Sequence, residues 1–124
     1  MESHTFYFEK LDVWKNARLL NKNIYLITQL FPNNEIYGLI NQLRRASISI
    51  SSNIAEGSSR KSYKDQAHFT QIAYSSTMEV LNQLIIASDL NYISSEQLSE
   101  LRNQISHIAN QLNKLYKSQQ SRSK

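Results

Sequence analysis

Cysteine is absent from this chain of 124 residues, and glycine and proline are scarce, with two copies and one. Without cysteine there can be no disulfide, thiolate zinc site, iron–sulfur cluster or cysteine nucleophile, and a reducing compartment suits the chain. The many short strands of an all-β protein would need more turn residues than these, so the composition favours long helices. A chain of this length is predicted to form one domain, residues 1–124.

Long apolar runs are missing as well. No run approaches the roughly 18 residues of a membrane span, and the N-terminus lacks the basic and apolar regions of a secretion signal. We therefore expect a soluble, cytoplasmic protein. The net charge of +4 is compatible with attraction to phosphate but does not require it. Residues 66–110 hold Arg102 as their one Lys or Arg, so the basic charge lies on the rest of the chain.

Helical periodicity is what the sequence does have. Apolar residues recur at spacings of four and three in four segments, which predicts an all-α protein. The predicted helices span about residues 9–31, 35–56, 63–89 and 95–117. Because the connections between them are short, we expect an antiparallel, up-down four-helix bundle.

Three local features qualify this prediction. Residues 46–51 alternate like a strand, but helical spacing continues through them in phase from both sides, so a helix is predicted. Gly57 is the expected stop of the second helix. Residues 118–124 have nothing to bury and are expected to fray.

Catalytic and metal-binding patterns are not found. Asp65 and His68 share a helical face but lack the second pair that a metal site in a bundle would need, so they are interpreted as solvated. The serines of residues 47–52 have no activating histidine and are interpreted as small packing residues. Glu35 and Glu56 lie roughly 30 Å apart on one helix, and Glu35 more plausibly stabilises the helix N-terminus. We expect no enzyme, no cofactor and no metal.

The segment Phe31–Gly57 is unusually distinctive. It contains a Pro-x-x-Glu turn, a Gln-x-Arg-Arg-Ala stretch at Gln42–Ala46 and an Asn-Ile-Ala-Glu-Gly end at Asn53–Gly57. Together with the Leu-x-x-Trp opening at Leu11–Trp14, these motifs resemble the bacterial four-helix-bundle proteins encoded in intervening sequences of 23S ribosomal RNA genes. That family is related to the accessory variability determinant of diversity-generating retroelements. The resemblance runs from about Phe8 to Tyr116.

This resemblance implies a ring-like homopentamer of bundles with basic surface. For the retroelement relatives it also implies binding to nucleic acid and to a reverse transcriptase, but this chain is only mildly basic and closer to the ribosomal-insert type. Apolar side chains off the main stripe of the first helix, such as Trp14, fit a helix that also faces another subunit. The residues predicted to serve the oligomer interface or the structure are Trp14, Glu35, Tyr37, Gln42, Asn53, Glu56 and Gly57.

Arg44 and Arg45 are adjacent, so on a helix they point about 100° apart and cannot both lie in the core. One interpretation is an ion pair between subunits with Glu35, Glu56 or Glu79, and the other is contact with phosphate. Both remain open from the sequence.

Two further basic clusters are candidates for binding nucleic acid. Arg60, Lys61 and Lys64 lie beside Tyr63, which combines phosphate contact with an aromatic ring for stacking. The second cluster, near the C-terminus, comprises Lys114, Lys117, Arg122 and Lys124. An ordinary solvated surface explains either cluster equally well.

The sequence therefore leaves three classes of function. The first is a homo-oligomeric accessory protein that binds nucleic acid, RNA in preference to DNA. The second is a structural or protein-interaction module, for example a reverse-transcriptase partner, without nucleic-acid affinity of its own. The third, an enzyme, would need a pocket of convergent polar groups that these residues do not provide.

Overall fold

A computed structural model describes residues 3–123, and within that range all regular structure is helical. The four α-helices are α1 (Asp12–Thr28), α2 (Leu39–Ser58), α3 (Tyr63–Asp89) and α4 (Ser95–Arg122). Two short 3-10 helices lie at Tyr7–Lys10 and Asn33–Glu35. Each α-helix packs on its neighbours in the chain and α1 also packs on α4, which closes a four-helix bundle. The predicted all-α four-helix fold is confirmed.

The core is formed by the apolar stripes that the sequence predicts. On α1 the buried positions are Val13, Ala17, Leu20 and Ile24, at spacings of four and three. α4 repeats the same arrangement from Leu101 to Leu112. No helix in the described part of the chain is long and apolar enough to cross a membrane.

The strand-like residues 46–51 lie in the middle of α2, as a helix. Ser47 is fully buried, and its hydroxyl donates a hydrogen bond of 2.6 Å to Asn21 Oδ1 on α1. Ser49 lies 2.9 Å from the Ser76 hydroxyl on α3. Small side chains allow the helices to approach closely, and the Ser47 and Ser49 hydroxyls each find a partner on a neighbouring helix.

The link between α1 and α2 is longer than predicted. α1 ends at Thr28, not at residue 31, and α2 begins at Leu39, not at residue 35. Gly38 stands outside the helical region of backbone angles at φ −114° and ψ −113°, and a Cβ there would lie 2.8 Å from Glu35 Oε1. The Glu35 carboxylate therefore occupies the space beside the start of α2, and the 3-10 turn that carries it precedes the helix.

Gly57 does not end α2, contrary to the prediction. The helix continues through Ser58, and Gly57 is buried within it. A Cβ at this position would lie 2.7 Å from the Phe69 Cβ on α3. Glycine is needed here because α2 and α3 approach closely, and not because the chain leaves the helix.

The predicted fraying of residues 118–124 is also wrong for the part that the structure describes. α4 continues to Arg122, and Gln119 is buried. The Gln119 side chain lies 2.7 Å from the Thr70 hydroxyl on α3, which attaches the last turns of α4 to the bundle. Lys124 lies outside the described residues.

Replacing Gln119 by alanine is expected to lower the free energy of unfolding by about 1–2 kcal/mol, because a buried hydrogen bond is lost and Thr70 loses its partner on α4. Urea denaturation measures the change. The matched control is Gln120→Ala, an exposed neighbour on the same turn, which should stay within about 0.5 kcal/mol of the parent. Equal losses in the two variants would contradict the anchoring role of Gln119.

Candidate nucleic-acid interface

The first basic cluster lies on the short link between α2 and α3. The side chains of Arg60, Lys61 and Lys64 are all exposed. The link is held by two hydrogen bonds: the Ser62 hydroxyl accepts from the Asp65 backbone N–H at 3.1 Å, and Gln66 Nε2 donates to the Arg60 carbonyl at 2.9 Å. These bonds hold the loop backbone, and the Arg60 guanidinium carbon lies 5.2 Å from the centre of the Phe69 ring on α3.

The second basic cluster reaches the same end of the molecule. α4 ends beside the start of α3, and the Arg122 guanidinium carbon lies 5.7 Å from the centre of the Tyr63 ring. Lys117 and Lys114 are exposed on the preceding turns of α4. Arg122 of the second cluster thus contacts Tyr63, which stands between Lys61 and Lys64 of the first. We call this region the basic end; its cationic side chains are Arg60, Lys61, Lys64, Lys114, Lys117 and Arg122.

Acidic side chains are present at the basic end but are partly engaged. The Glu9 carboxylate accepts a hydrogen bond of 2.7 Å from the Phe6 backbone N–H. Asp65 lies in the first turn of α3, where the helix dipole favours an anion. Glu56 is exposed on α2. The opposite end of the bundle, where α3 ends and α4 begins, carries Glu35, Asp89, Glu96 and Glu100.

A cleft of about 240 Å³ opens at the basic end, between the first 3-10 helix and the ends of α2, α3 and α4. We call it the end cleft. Its apolar wall includes Leu11, Ile54 and Leu115. The polar and aromatic lining consists of Tyr7, Ser58, Tyr63, Gln66, Thr70, Ser118, Gln119 and Arg122. A shallower cleft on the outer side of α3 and α4 contains Lys64, His68 and Tyr116.

Arg44 is used within the subunit. Its Nε donates to the Thr28 hydroxyl at 2.9 Å, and its guanidinium carbon lies 4.5 Å from the centre of the Tyr25 ring. A further hydrogen bond of 3.4 Å reaches the Tyr25 carbonyl. Arg44 therefore places its positive charge at the C-terminal end of α1, where the helix dipole favours a cation. Neither sequence interpretation considered this role.

Arg45 lies apart from Arg44 and is exposed, as the 100° separation requires. It lines a surface cleft between α2 and α3 together with Gln42, Ser49 and Glu79. The Glu79 carboxylate accepts a hydrogen bond of 3.2 Å from Gln83 Nε2. Arg45 lies outside the basic end, so the structure does not combine it with the two basic clusters.

Glu35 stabilises the start of α2, in agreement with its predicted role. Its Oε1 accepts from the Leu39 backbone N–H at 3.3 Å, and its Oε2 accepts from the Tyr92 hydroxyl at 2.8 Å. The hydrogen bond to the Glu35 carboxylate raises the pKa of Tyr92 above its usual value, with burial and the carboxylate charge adding to the shift. Glu35 thus connects the α1–α2 link to the α3–α4 link.

The other residues predicted for an interface differ in exposure. Trp14 packs edge-on against Phe8, with ring centres 5.0 Å apart, inside the subunit. Asn53 Nδ2 donates to the Ser49 carbonyl at 2.8 Å on the same helix. Tyr37 is 93% exposed. Gln42 and Glu56 are exposed on α2.

A metal centre finds no support in the described range, where no group of three or more His, Asp or Glu side chains could hold an ion. His68, which shares a helical face with Asp65, makes a different contact. The His68 ring packs edge-on against Phe69, with ring centres 5.7 Å apart. The imidazole is therefore part of the α3 surface.

Residues 9–114 match the family described as 23S rRNA-intervening sequence protein. The chain belongs to this family. It is also similar to a crystallised protein of unknown function from the S23 ribosomal protein family of Bacteroides thetaiotaomicron VPI-5482, with a TM-score of 0.76 and 22% sequence identity. That similarity covers 85% of this chain and 98% of the other, and at this identity it supports the fold alone. No curated protein matches the chain.

The family match includes only part of the basic end. Arg60, Lys61 and Lys64 lie within residues 9–114, and Lys114 is the last matched position. Lys117, Gln119 and Arg122 lie beyond it. The end cleft is therefore built from matched residues at Leu11 and on α2 and α3, and from unmatched residues at Tyr7 and on the last turns of α4.

The sequence interpretation expected a second apolar surface on the first helix but did not name the leucines that form it. Leu19 and Leu26 are exposed on one face of α1, seven positions apart, and Leu30 is exposed just after the end of the helix. The adjoining seam with α4 is bridged by amide side chains, from Asn16 to Gln111 at 2.9 Å and from Asn23 to Gln104 at 3.0 Å. The signal was present in the sequence as a second apolar stripe on α1, beside the stripe assigned to the core.

Proposed function

We propose that this protein is a cytoplasmic, non-enzymatic accessory protein that binds nucleic acid, RNA in preference to DNA, as a homo-oligomer. The observation that supports binding is the meeting of two basic clusters at one end, where Arg122 lies over the Tyr63 ring. Cationic side chains beside exposed aromatic rings contact both the phosphates and the bases of single strands. The homo-oligomer, a pentamer by the family resemblance, is supported by the exposed leucines of α1.

Lys61→Gln/Lys64→Gln is expected to weaken RNA binding and to flatten its salt dependence. Each phosphate contact that is lost removes about 0.7–0.9 from the slope of log affinity against log salt, because fewer counterions are released. The measurement is a fluorescence-anisotropy titration with structured RNA and with duplex DNA, at low and physiological salt. Light scattering on the same samples gives the number of subunits.

The matched control is Lys22→Gln/Arg102→Gln. This variant removes the same charge from exposed helical positions outside the basic end. It should leave the slope nearly unchanged. Equal losses in the two double variants would mean that overall charge, and not the basic end, attracts the nucleic acid.

The second candidate function is a protein-interaction module without affinity for nucleic acid. The observation that favours it is the exposure of three large apolar side chains, Leu19 and Leu26 on α1 and Leu30 just after it. Absence of binding to both RNA and DNA at low salt would overturn the first proposal and leave this one.

A further inference from the structure

The end cleft differs from an ordinary charged surface because it has depth and an apolar wall. Its volume of about 240 Å³ lies below the roughly 300–1,000 Å³ of pockets for drug-sized ligands. Two tyrosines line it, Tyr7 at 67% exposed and Tyr63 at 43% exposed. A space of this size, lined by two aromatic rings, suits one flat heterocycle.

We propose that the end cleft binds one unpaired nucleobase of a single-stranded RNA, while the cationic side chains of the basic end contact the phosphates on either side. This inference rests on the proposed function and assigns its ligand. Stacking on a tyrosine ring would supply most of the attraction for the base. Apolar contact with Leu11, Ile54 and Leu115 would cover the part of the base that enters the cleft.

Gln119 gives the cleft a polar group that can read a base edge. The Thr70 hydroxyl has one proton, yet it lies within hydrogen-bond distance of both the Gln66 carbonyl, at 3.0 Å, and the Gln119 amide, at 2.7 Å. Thr70 therefore either donates to the Gln119 oxygen or accepts from its nitrogen. In both arrangements Thr70 hydrogen-bonds either the oxygen or the nitrogen of the Gln119 amide. The other of these two atoms can hydrogen-bond a ligand in the cleft that Gln119 lines.

The charges around the cleft suit a nucleotide better than a neutral heterocycle. Arg122 belongs to the lining itself and lies over Tyr63. Lys61 and Lys64 flank Tyr63 on the first turn of α3 and its link, and all three are exposed. A nucleotide whose base stacks on Tyr63 would therefore have its phosphates close to these cationic side chains.

Selectivity for unpaired bases follows from the shape of the ligand. In a duplex both faces of a base are covered by its neighbours and its pairing edge is occupied, so a base must leave the stack before it can enter a cleft. A loop, bulge or free end offers such a base without that cost. The basic end can touch the phosphates of a duplex, but the end cleft then stays empty.

The test compares three fluorescent ligands of equal length at the same salt concentration: a single-stranded RNA, a single-stranded oligomer of abasic sugar phosphates, and an RNA duplex. Anisotropy titrations of the full-length protein should give an affinity for the single-stranded RNA at least about tenfold above that for the abasic oligomer. The abasic oligomer keeps the phosphates and removes the bases, so the difference isolates the cleft.

Two variants locate the effect. Tyr63→Leu is expected to lower the affinity for single-stranded RNA on the order of tenfold, because the stacking contact is lost. The affinity for the abasic oligomer should not change, since that ligand has no base to stack. Tyr37→Leu is the control, since Tyr37 is an exposed tyrosine on the α1–α2 link at the opposite end. Thermal unfolding of both variants verifies that the fold is kept.

The outcomes separate the two proposals. Equal affinity for the RNA and the abasic oligomer, with full salt dependence, would overturn the base-binding cleft and leave phosphate binding in place. Equal losses for the two ligands in Tyr63→Leu would also overturn it. Failure of all three ligands to bind at low salt would overturn the proposed function itself.

Discussion

Replacing Leu43 by alanine is expected to lower the free energy of unfolding by about 3 kcal/mol. Leu43 is 0% exposed near the start of α2 and belongs to the central apolar cluster. Truncation to alanine loses the transfer free energy of the removed atoms and leaves a cavity that the surrounding helices fill only in part. Urea denaturation at a fixed protein concentration measures the change, since an oligomer makes the apparent stability depend on concentration.

The matched control for this prediction is Leu30→Ala, which makes the same chemical change at a position that is 68% exposed. We expect an effect within about 0.5 kcal/mol for the isolated subunit. A loss at Leu43 no larger than the loss at Leu30 would contradict the packing of α2 described above. A large loss of stability in Leu30→Ala that disappears on dilution would instead indicate that the α1 face contacts another subunit.

Gly57→Ala is expected to destabilise the protein by about 2 kcal/mol, although alanine is the better helix former by about 1 kcal/mol. The added Cβ would lie 2.7 Å from the Phe69 Cβ, and neither atom can move without its backbone. Shortening Phe69 to alanine should not restore stability, because the Cβ that causes the clash remains. Thermal or urea unfolding measures both variants.

Glu56→Ala is the control for Gly57→Ala, since it changes the preceding position, which is exposed on the same helix. It should leave stability within about 0.5 kcal/mol of the parent. A Gly57→Ala variant as stable as the parent would show that α2 and α3 separate easily at this crossing. The close approach of the two helices would then have no energetic importance.

The helices themselves were predictable because their apolar stripes are long and regular. α4 is the clearest case: Ser94 forms a capping box with Gln97, whose N–H donates to the Ser94 hydroxyl at 3.0 Å, and the helix begins at Ser95. The ends of α1 and α2 were not predictable to better than a few residues. They depend on the Glu35 carboxylate, whose partners lie on two different links.

The errors at Gly57 and in the last turns of α4 have one cause. In both places a local pattern competes with a contact that is distant in the sequence. Gly57 is typical of a helix stop, but its neighbour in space is Phe69. Gln119 lies in a polar tail, but its neighbour is Thr70, 49 positions earlier. Sequence periodicity carries no information about either pair.

The composition of the candidate site was predicted, and its arrangement follows from the predicted topology, although the sequence interpretation did not combine the two clusters. Arg60, Lys61 and Lys64 were proposed as one cluster and Lys114 with Lys117 as another. With four antiparallel helices, the end of α4 must lie beside the link between α2 and α3, so the topology itself brings the clusters together. For Arg44 the sequence interpretation considered only contact with another subunit or with phosphate. Its contact with Tyr25 becomes visible only in the folded bundle.

The uneven distribution of charge along the bundle has a consequence for how the protein meets a polyanion. α4 has 28 residues, so its two ends are about 42 Å apart. At physiological ionic strength the Debye length is about 8 Å, so the acidic residues where α4 begins do not cancel the field at its other end. Arg44 and Arg102 partly offset those carboxylates, so the bundle is unevenly charged along its long axis. The nucleic acid that we propose as the ligand would therefore be attracted first to the basic end.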